Sequence, residues 1–282
     1  MRQRPNAQRP NAQRPNYVAG LGSLIWLLLV GLPLYVLLIA TFRTTSNYST
    51  QGPLSFPSQL TLSNYLNAFS NGFGQDFLNT LIVTVSVVGI VLLVVPPLAY
   101  AIVRAQGRTI TVVFRVFLLG LAVPAQAVIV PMFYVISQAG LYDHLIGVIL
   151  PTAAFSLPVC TLVLTGAMRD ITPDLYEAMA MDGASPWRVF LQLVLPLSKG
   201  GLSSIVVFSA LQAWNGFLFP LILTQSDSTK VITIGLYNFQ SEHGVNVPGL
   251  LSAVVLSMLP IFIVYLFARR ALVQGLMGVG GK

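Results

Sequence analysis

Residues 77–103 read FLNTLIVTVSVVGIVLLVVPPLAYAIV and carry no charged side chain. A helix needs about 20 residues to cross the hydrocarbon core of a bilayer, and this run exceeds that length. It therefore reads as a transmembrane helix. Five further apolar stretches are uncharged and equally long: 17–42, 116–142, 145–168, 200–226 and 244–268. A seventh uncharged stretch, 44–75, is full of Ser, Thr, Asn, Gln, Gly and Pro and reads as a loop, because its backbone has no reason to leave water. Across the 282 residues, 55% are apolar and 8% charged, against roughly a quarter charged in soluble domains. That composition excludes a water-soluble enzyme. The fold class expected is an all-α integral membrane protein with six transmembrane helices.

The 15 basic residues follow these spans in an alternating way. With a cytoplasmic N-terminus, thirteen fall inside, among them Arg104, Arg169, Arg188 and Lys199, and only Arg43 and Lys230 fall outside. Acids divide evenly, with Asp170, Asp174, Glu177 and Asp182 inside and Asp76, Asp143, Asp227 and Glu242 outside. This is the positive-inside pattern, and it places both termini in the cytoplasm. It also accounts for the net charge of +7 without nucleic acid as a partner. Segment 1–16 repeats Gln-Arg-Pro-Asn-Ala, with a proline in each unit, and reads as a disordered basic tail that anchors topology. Its arginines are also suited to touching anionic lipid. The extracytoplasmic loop is 43–76, the membrane core 77–268, and the C-terminal tail 269–282.

None of the six spans holds an ionisable Asp, Glu, Lys, Arg or His. Ion-coupled carriers usually place one where the ion is held, so this absence disfavours them. It also removes the residues of an intramembrane hydrolase or metal site. His144 and His243 lie in or beside outer loops without a second ligand at metal spacing, and Cys160 reads as a small apolar packing residue. No metal, cofactor or catalytic residue is expected.

Every span contains proline: Pro33, Pro96 and Pro97, Pro124 and Pro131, Pro151 and Pro158, Pro220, Pro260. Each removes a helix hydrogen bond and is a candidate kink. The deepest amides are Gln126, Gln212 and Asn215, and Trp214 beside Asn215 sets an aromatic face next to an amide. That pairing suits a neutral polyhydroxylated ligand, while a hydrogen bond between helices explains Asn215 equally well. Gln126, Trp214 and Asn215 are the candidate pathway residues.

The inner loop 169–199 gathers half of the acids. Thr172-Pro173-Asp174 reads as a helix start, with a hydroxyl N-cap, proline at the first position and an acid in the first turn. Leu175, Tyr176, Met179 and Ala180 give that helix one apolar face, and Gly183 ends it. A second start at Ser185-Pro186 leads into Trp187, Phe190, Leu191 and Val194, an amphipathic spacing that Leu195-Pro196 ends. Two short helices at a glycine turn form a projecting knob. Its acidic first helix is unlike the Lys/Arg-rich helices that lie on membranes.

The run Glu177-Ala178-Met179-Ala180-Met181-Asp182-Gly183-Ala184, followed by Leu193-Val194-Leu195-Pro196, resembles the EAA loop of binding-protein-dependent ABC importer permeases. That pattern is Glu-Ala-Ala, three residues, Gly, nine residues, then Ile-x-Leu-Pro. Met179 and Leu193 depart from it by apolar replacement. Further likeness to the carbohydrate-uptake branch, and within it to the maltose-type second permease subunit, runs from about residue 62 to 282. It is carried by Leu62-Ser63-Asn64-Tyr65, Asn79-Thr80, Ala99-Tyr100-Ala101, Pro131, Trp214-Asn215 and the closing Gly275-Leu276 to Gly281-Lys282.

The resemblance implies a type I ABC importer permease fold in a bacterial cell membrane. It implies an extracytoplasmic solute-binding protein, a second permease subunit, two ATP-binding subunits, and a sugar, di- or oligosaccharide, as cargo. Glu177, Ala178, Met179, Asp182, Gly183 and Ala184 would form the ATPase-coupling surface. From the residues themselves, no Gly-x4-Gly-Lys-Ser/Thr occurs, so nucleotide hydrolysis by that motif is not this chain's work. The alternative from another class is a stand-alone carrier or channel for a small neutral solute.

Overall fold

The computed structural model describes residues 17–104, 107–241 and 244–277. The first span is one helix, α1 (Tyr17–Thr41). The polar stretch after it is not an irregular loop, because it forms α2 (Thr45–Gln51) and α3 (Ser63–Ser70) before α4 (Phe73–Arg104) begins. Next come α5 (Arg108–Leu118), two 3-10 turns (Leu119–Ala122 and Ala125–Val128) and α6 (Ile129–Gln138). The helix α7 (Leu145–Arg169) then leads into α8 (Pro173–Met181) and α9 (Pro186–Val189). A π-turn (Phe190–Val194) joins α9 to α10 (Leu195–Leu197). The chain continues as α11 (Lys199–Trp214), α12 (Leu218–Leu223) and α13 (Ile232–Gly235). The strands β1 (Gln240–Ser241) and β2 (Gly244–Val245) pair antiparallel ahead of α14 (Val247–Met277).

Three of the described helices, α1, α4 and α7, are long and apolar enough to cross a membrane alone. The expected third and fifth spans are not single helices. The third breaks beside Pro124, where its two halves meet at 92°. The fifth breaks at Asn215-Gly216-Phe217, between α11 and α12. Where α11 meets the preceding helical segment, the bend is 76°. Counting each bent pair as one span gives up to five, beside the shorter apolar helix Val247–Ile263 at the start of α14. Most of the candidate kinks are not breaks. Pro33, Pro96, Pro97, Pro151, Pro158 and Pro260 sit inside continuous helices. Pro131 and Pro220 fall in the first turns of α6 and α12, where no helix hydrogen bond is lost. At the C-terminal end, α14 continues to Met277, past the expected membrane exit at 268. The basic tail 1–16 and residues 278–282 lie outside the described residues, as does His243.

The core is a seam between two ridges. On α4, Val83, Val87, Val91, Val95 and Ala99 recur every fourth residue, and all are buried. On α7 the same spacing carries Val148, Thr152, Ser156, Cys160, Leu164 and Met168, again buried. Such i, i+4 rows interdigitate when helices cross, and small or β-branched residues let the backbones approach. The hydroxyls cost little there, because Thr152 donates to Val148 O (2.7 Å) and Ser156 to Thr152 O (2.9 Å). The helix α11 joins the seam at Gly201, where an added Cβ would meet Ala167 Cβ at 2.7 Å. Cys160 is buried in this cluster, as its apolar reading required.

The outward surface is the reverse of a soluble protein's. Trp26, Leu27 and Leu29 of α1 are about two-thirds exposed, and only Ala40 and Thr41 of that helix are buried. Lipid or a partner's helices must cover it.

Candidate functional site

The knob is built by local rules. Pro173 takes the first position of α8, but the Thr172 hydroxyl makes no capping hydrogen bond, contrary to expectation. The helix ends in a Schellman turn, with Gly183 N–H donating to Ala180 O (3.0 Å) and Ala184 N–H to Met179 O (3.0 Å). Gly183 adopts φ +69°, in the left-handed region that glycine tolerates. Ser185 then caps α9 by accepting from Arg188 N–H at 3.3 Å. Pro196 does not end the second helix. The π-turn before it carries the chain to Leu197, with Leu195 N–H donating to Phe190 O. Only part of each anticipated apolar face is buried. Tyr176, Phe190 and Val194 pack inward, while Leu175, Ala180, Trp187 and Leu191 are exposed.

The candidate coupling residues meet at that turn. Glu177, Ala178, Asp182 and Gly183 are exposed, whereas Met179 and Ala184 are half-buried and pack on the core. Among the described residues the one ion pair joins Lys230 to Asp227, so Glu177 and Asp182 have no ion-pair partner there. Beneath the turn, Tyr176 is buried against α4, with Arg104 Cζ 4.6 Å from its ring centre. Burial pushes the Tyr176 hydroxyl above its ordinary pKa, opposed by the Arg104 charge.

The pathway candidates fall at the two helix breaks. Gln126 is exposed in the 3-10 turn after Pro124. Asn215 is exposed at the end of α11, where its side-chain amide donates to Leu211 O (2.9 Å). Trp214 instead turns inward, 7% exposed, with its indole N–H donating to Ser257 O (3.1 Å) and its ring edge-on to Phe77. Irregular backbone at membrane depth is tolerated where it is buried in protein or lines a polar cavity. Sequence reasoning found the amides and, at Pro124, a candidate kink where the first break falls, but not the second break. Pro124 signals the first of these, and Asn215-Gly216 is the only local sign of the second.

The opposite end holds a polar cleft of about 540 Å³ lined by Asn71, Gln75, Asp76, Asp227, Ser228, Lys230 and Asn238, among others. Asn79 anchors it, donating to Ser228 O (2.9 Å) and Lys230 O (2.7 Å). Nearby, Asp143 accepts from Gln225 N–H, Ser226 N–H, the Ser226 hydroxyl and the Thr229 hydroxyl. These donors hold its carboxyl well below the usual carboxylate range. His144 rests its Nδ1 2.8 Å from Tyr142 O, and no group of three metal-ligating side chains occurs among the described residues.

Neutral helices around buried ridges, broken spans and a projecting two-helix knob define a membrane transport subunit. The chain belongs to the family of binding-protein-dependent transport system inner membrane components, whose pattern residues 97–278 match. It is 32% identical over 251 residues to the diacetylchitobiose uptake system permease protein of Streptomyces coelicolor, covering 88% of this chain and 83% of that one. It is 26% identical over 253 residues to the multiple sugar-binding transport system permease protein of Streptococcus mutans, covering 88% and 91%. A solved chain of a bacterial ABC transporter that imports the acidic polysaccharide alginate has the same fold. Its TM-score is 0.77 at 20% identity, over 93% of this chain and 99% of that one. The protein is thus a multi-pass inner-membrane component of an ABC importer.

Proposed function

We propose that this chain is one of two permease subunits of an ATP-driven importer for a di- or oligosaccharide, and that the knob at 173–197 docks a separate ATPase. The observation that carries the reading is the glycine turn, where Glu177, Ala178, Asp182 and Gly183 stand exposed and the acids lack ion-pair partners among the described residues. Two carboxylates at a rigid helix corner suit insertion into a partner's cleft, and rigid-body motion of that partner then moves the spans. Sugar as cargo follows the relatives' uptake systems. The exposed amides Gln126 and Asn215 would face the pathway at the helix breaks, with Trp214 as the wall behind them. The loop 169–199 and both termini lie in the cytoplasm in this reading, with six spans and the cleft at Asp76 outside. Co-expression with the genes beside it should yield a complex holding a second permease and two ATP-binding subunits. Recovery of the chain alone, active in liposomes without ATP, would overturn the proposal.

A further inference from the structure

Two residues on the last turn of α4 grip the knob from one side. Tyr100 and Arg104 are four apart and therefore share a helix face. The Tyr100 ring centre lies 5.3 Å from that of Phe190, and the Trp187 ring centre lies 5.2 Å from that of Phe190. Tyr100 Oη also donates to Pro186 O at 3.3 Å, so both ring and hydroxyl engage the α9 half of the knob. Arg104 lies over the ring of Tyr176, which belongs to the α8 half. The Tyr176 hydroxyl is buried without a hydrogen-bond partner, which leaves the ring face toward Arg104 as its polar contact. One turn of α4 therefore holds both halves of the knob, on either side of the Gly183 corner. Elsewhere the knob is continuous in chain with α7 and, through Ser198, with α11. The α4 contacts add the third principal helix of the core, on a segment that just follows Pro96-Pro97.

We infer that Tyr100 and Arg104 are positioning residues that make α4 move with the knob, through the ring contact with Phe190 and the cation–π contact to Tyr176. The inference rests on the reading of the knob as the ATPase dock. A displaced knob must either carry the end of α4 along or break both contacts together. The cation–ring contact and the paired aromatic rings oppose separation.

The test uses the full complex in proteoliposomes and compares ATP hydrolysis with and without the binding protein encoded beside the chain. Tyr100→Ala and Arg104→Gln should retain the ATPase subunits and basal hydrolysis yet lose stimulation by at least about fivefold, the lower range of site-to-site coupling. Tyr100→Phe keeps the ring and should restore most of the stimulation. A merely structural role would lower assembly and both rates together, and that outcome overturns the inference, as does unchanged stimulation in the Ala and Gln variants. A second measurement leaves the contacts intact, with spin labels at Met181 and at Ala101 in the last turn of α4, both exposed. Their separation should hold within about 2 Å on adding ATP and vanadate, the scale of ordinary helix shifts. A larger change overturns the link. A wild-type chain that never retains an ATPase subunit overturns the dock and the link together. A retained ATPase with unmoved stimulation overturns the link alone.

Discussion

Arg43 and Glu177 are both charged residues in polar connections, one at each end of the helices, and the structure treats them in opposite ways. Arg43 is fully buried, and its five N–H donors all find acceptors. They go to Asn47 Oδ1 (2.7 Å), Asn47 O (2.9 Å), Gly52 O (2.7 Å), Ser55 O (3.1 Å) and Ser55 Oγ (2.8 Å). Its own carbonyl accepts from Asn64, which also bonds Thr41 O, so the end of α1 and α3 close around it. Glu177 stands in the open without an ion-pair partner among the described residues. A side chain with every donor used holds a scaffold and has nothing left to offer a partner. A bare carboxylate on a rigid corner has its whole bonding capacity in reserve.

The contrast can be broken at the corner first. Gly183→Val places a β-branched residue at φ +69°, where strain of about 2 kcal/mol is expected. No atom lies within 4 Å of the added Cβ, so the effect is conformational and not a clash. Uptake should fall by roughly 30-fold, the equivalent of that strain, with membrane insertion unchanged, as read by membrane fractionation beside transport. Normal uptake would sever the corner from coupling.

Arg43→Met tests the other pole. Three carbonyls and two side-chain oxygens lose donors, and at roughly 1 kcal/mol per unsatisfied group the loss should reach about 5 kcal/mol. It should appear as a lower thermal midpoint and faster proteolysis within 44–58, while the folded fraction still retains the ATPase subunits. Loss of the ATPase at full stability would erase the distinction between scaffold and dock.

The smallest effect is expected at Asp143→Asn, which weakens the clip between Tyr142 and the 225–229 segment, and the midpoint should fall less than for Arg43→Met. Because the Asp143 carboxyl is lowered in the fold, its contribution is complete above the unfolded value of about 3.9 and is lost only as pH drops toward the folded value. Melting of the wild type should therefore show no titration from this group between about pH 5 and 8. A step in that window absent from the Asn variant would contradict the hydrogen-bonded clip.

Much of this was legible in the residues. Charge gaps located α1, α4 and α7. The sidedness of charge matched the ends that the structure brings together, Asp143 beside the 225–229 segment and Arg104 beneath the knob. The Gly183 corner was marked by glycine and flanked by helix punctuation. What stayed hidden depended on contacts distant in sequence. Thr45–Gln51 has no apolar period, and its helix rests on Thr44 accepting from Asn47 N–H and on the Arg43 cage. The break at Asn215-Gly216 is pinned by Thr233, whose hydroxyl donates to Gly216 O (2.6 Å). Trp214 beside an amide suggested an open aromatic face, yet the indole is taken up by Ser257 and Phe77. The half-exposed faces of the knob likewise depend on α4, which no local window contains.

The seam between α4 and α7 has a mechanical consequence. Its hydroxyls at Thr152 and Ser156 bond within their own helix, and no side-chain hydrogen bond crosses from one helix to the other among the described residues. Two greased racks of teeth resist being pulled apart, yet they exchange one notch for the next without tearing any polar bond. At the Asp76 end, by contrast, Asn79 and Thr80 tie α4 to the 228–232 segment. A displacement of the knob would therefore pivot α4 about that end, with its long arm toward Arg104.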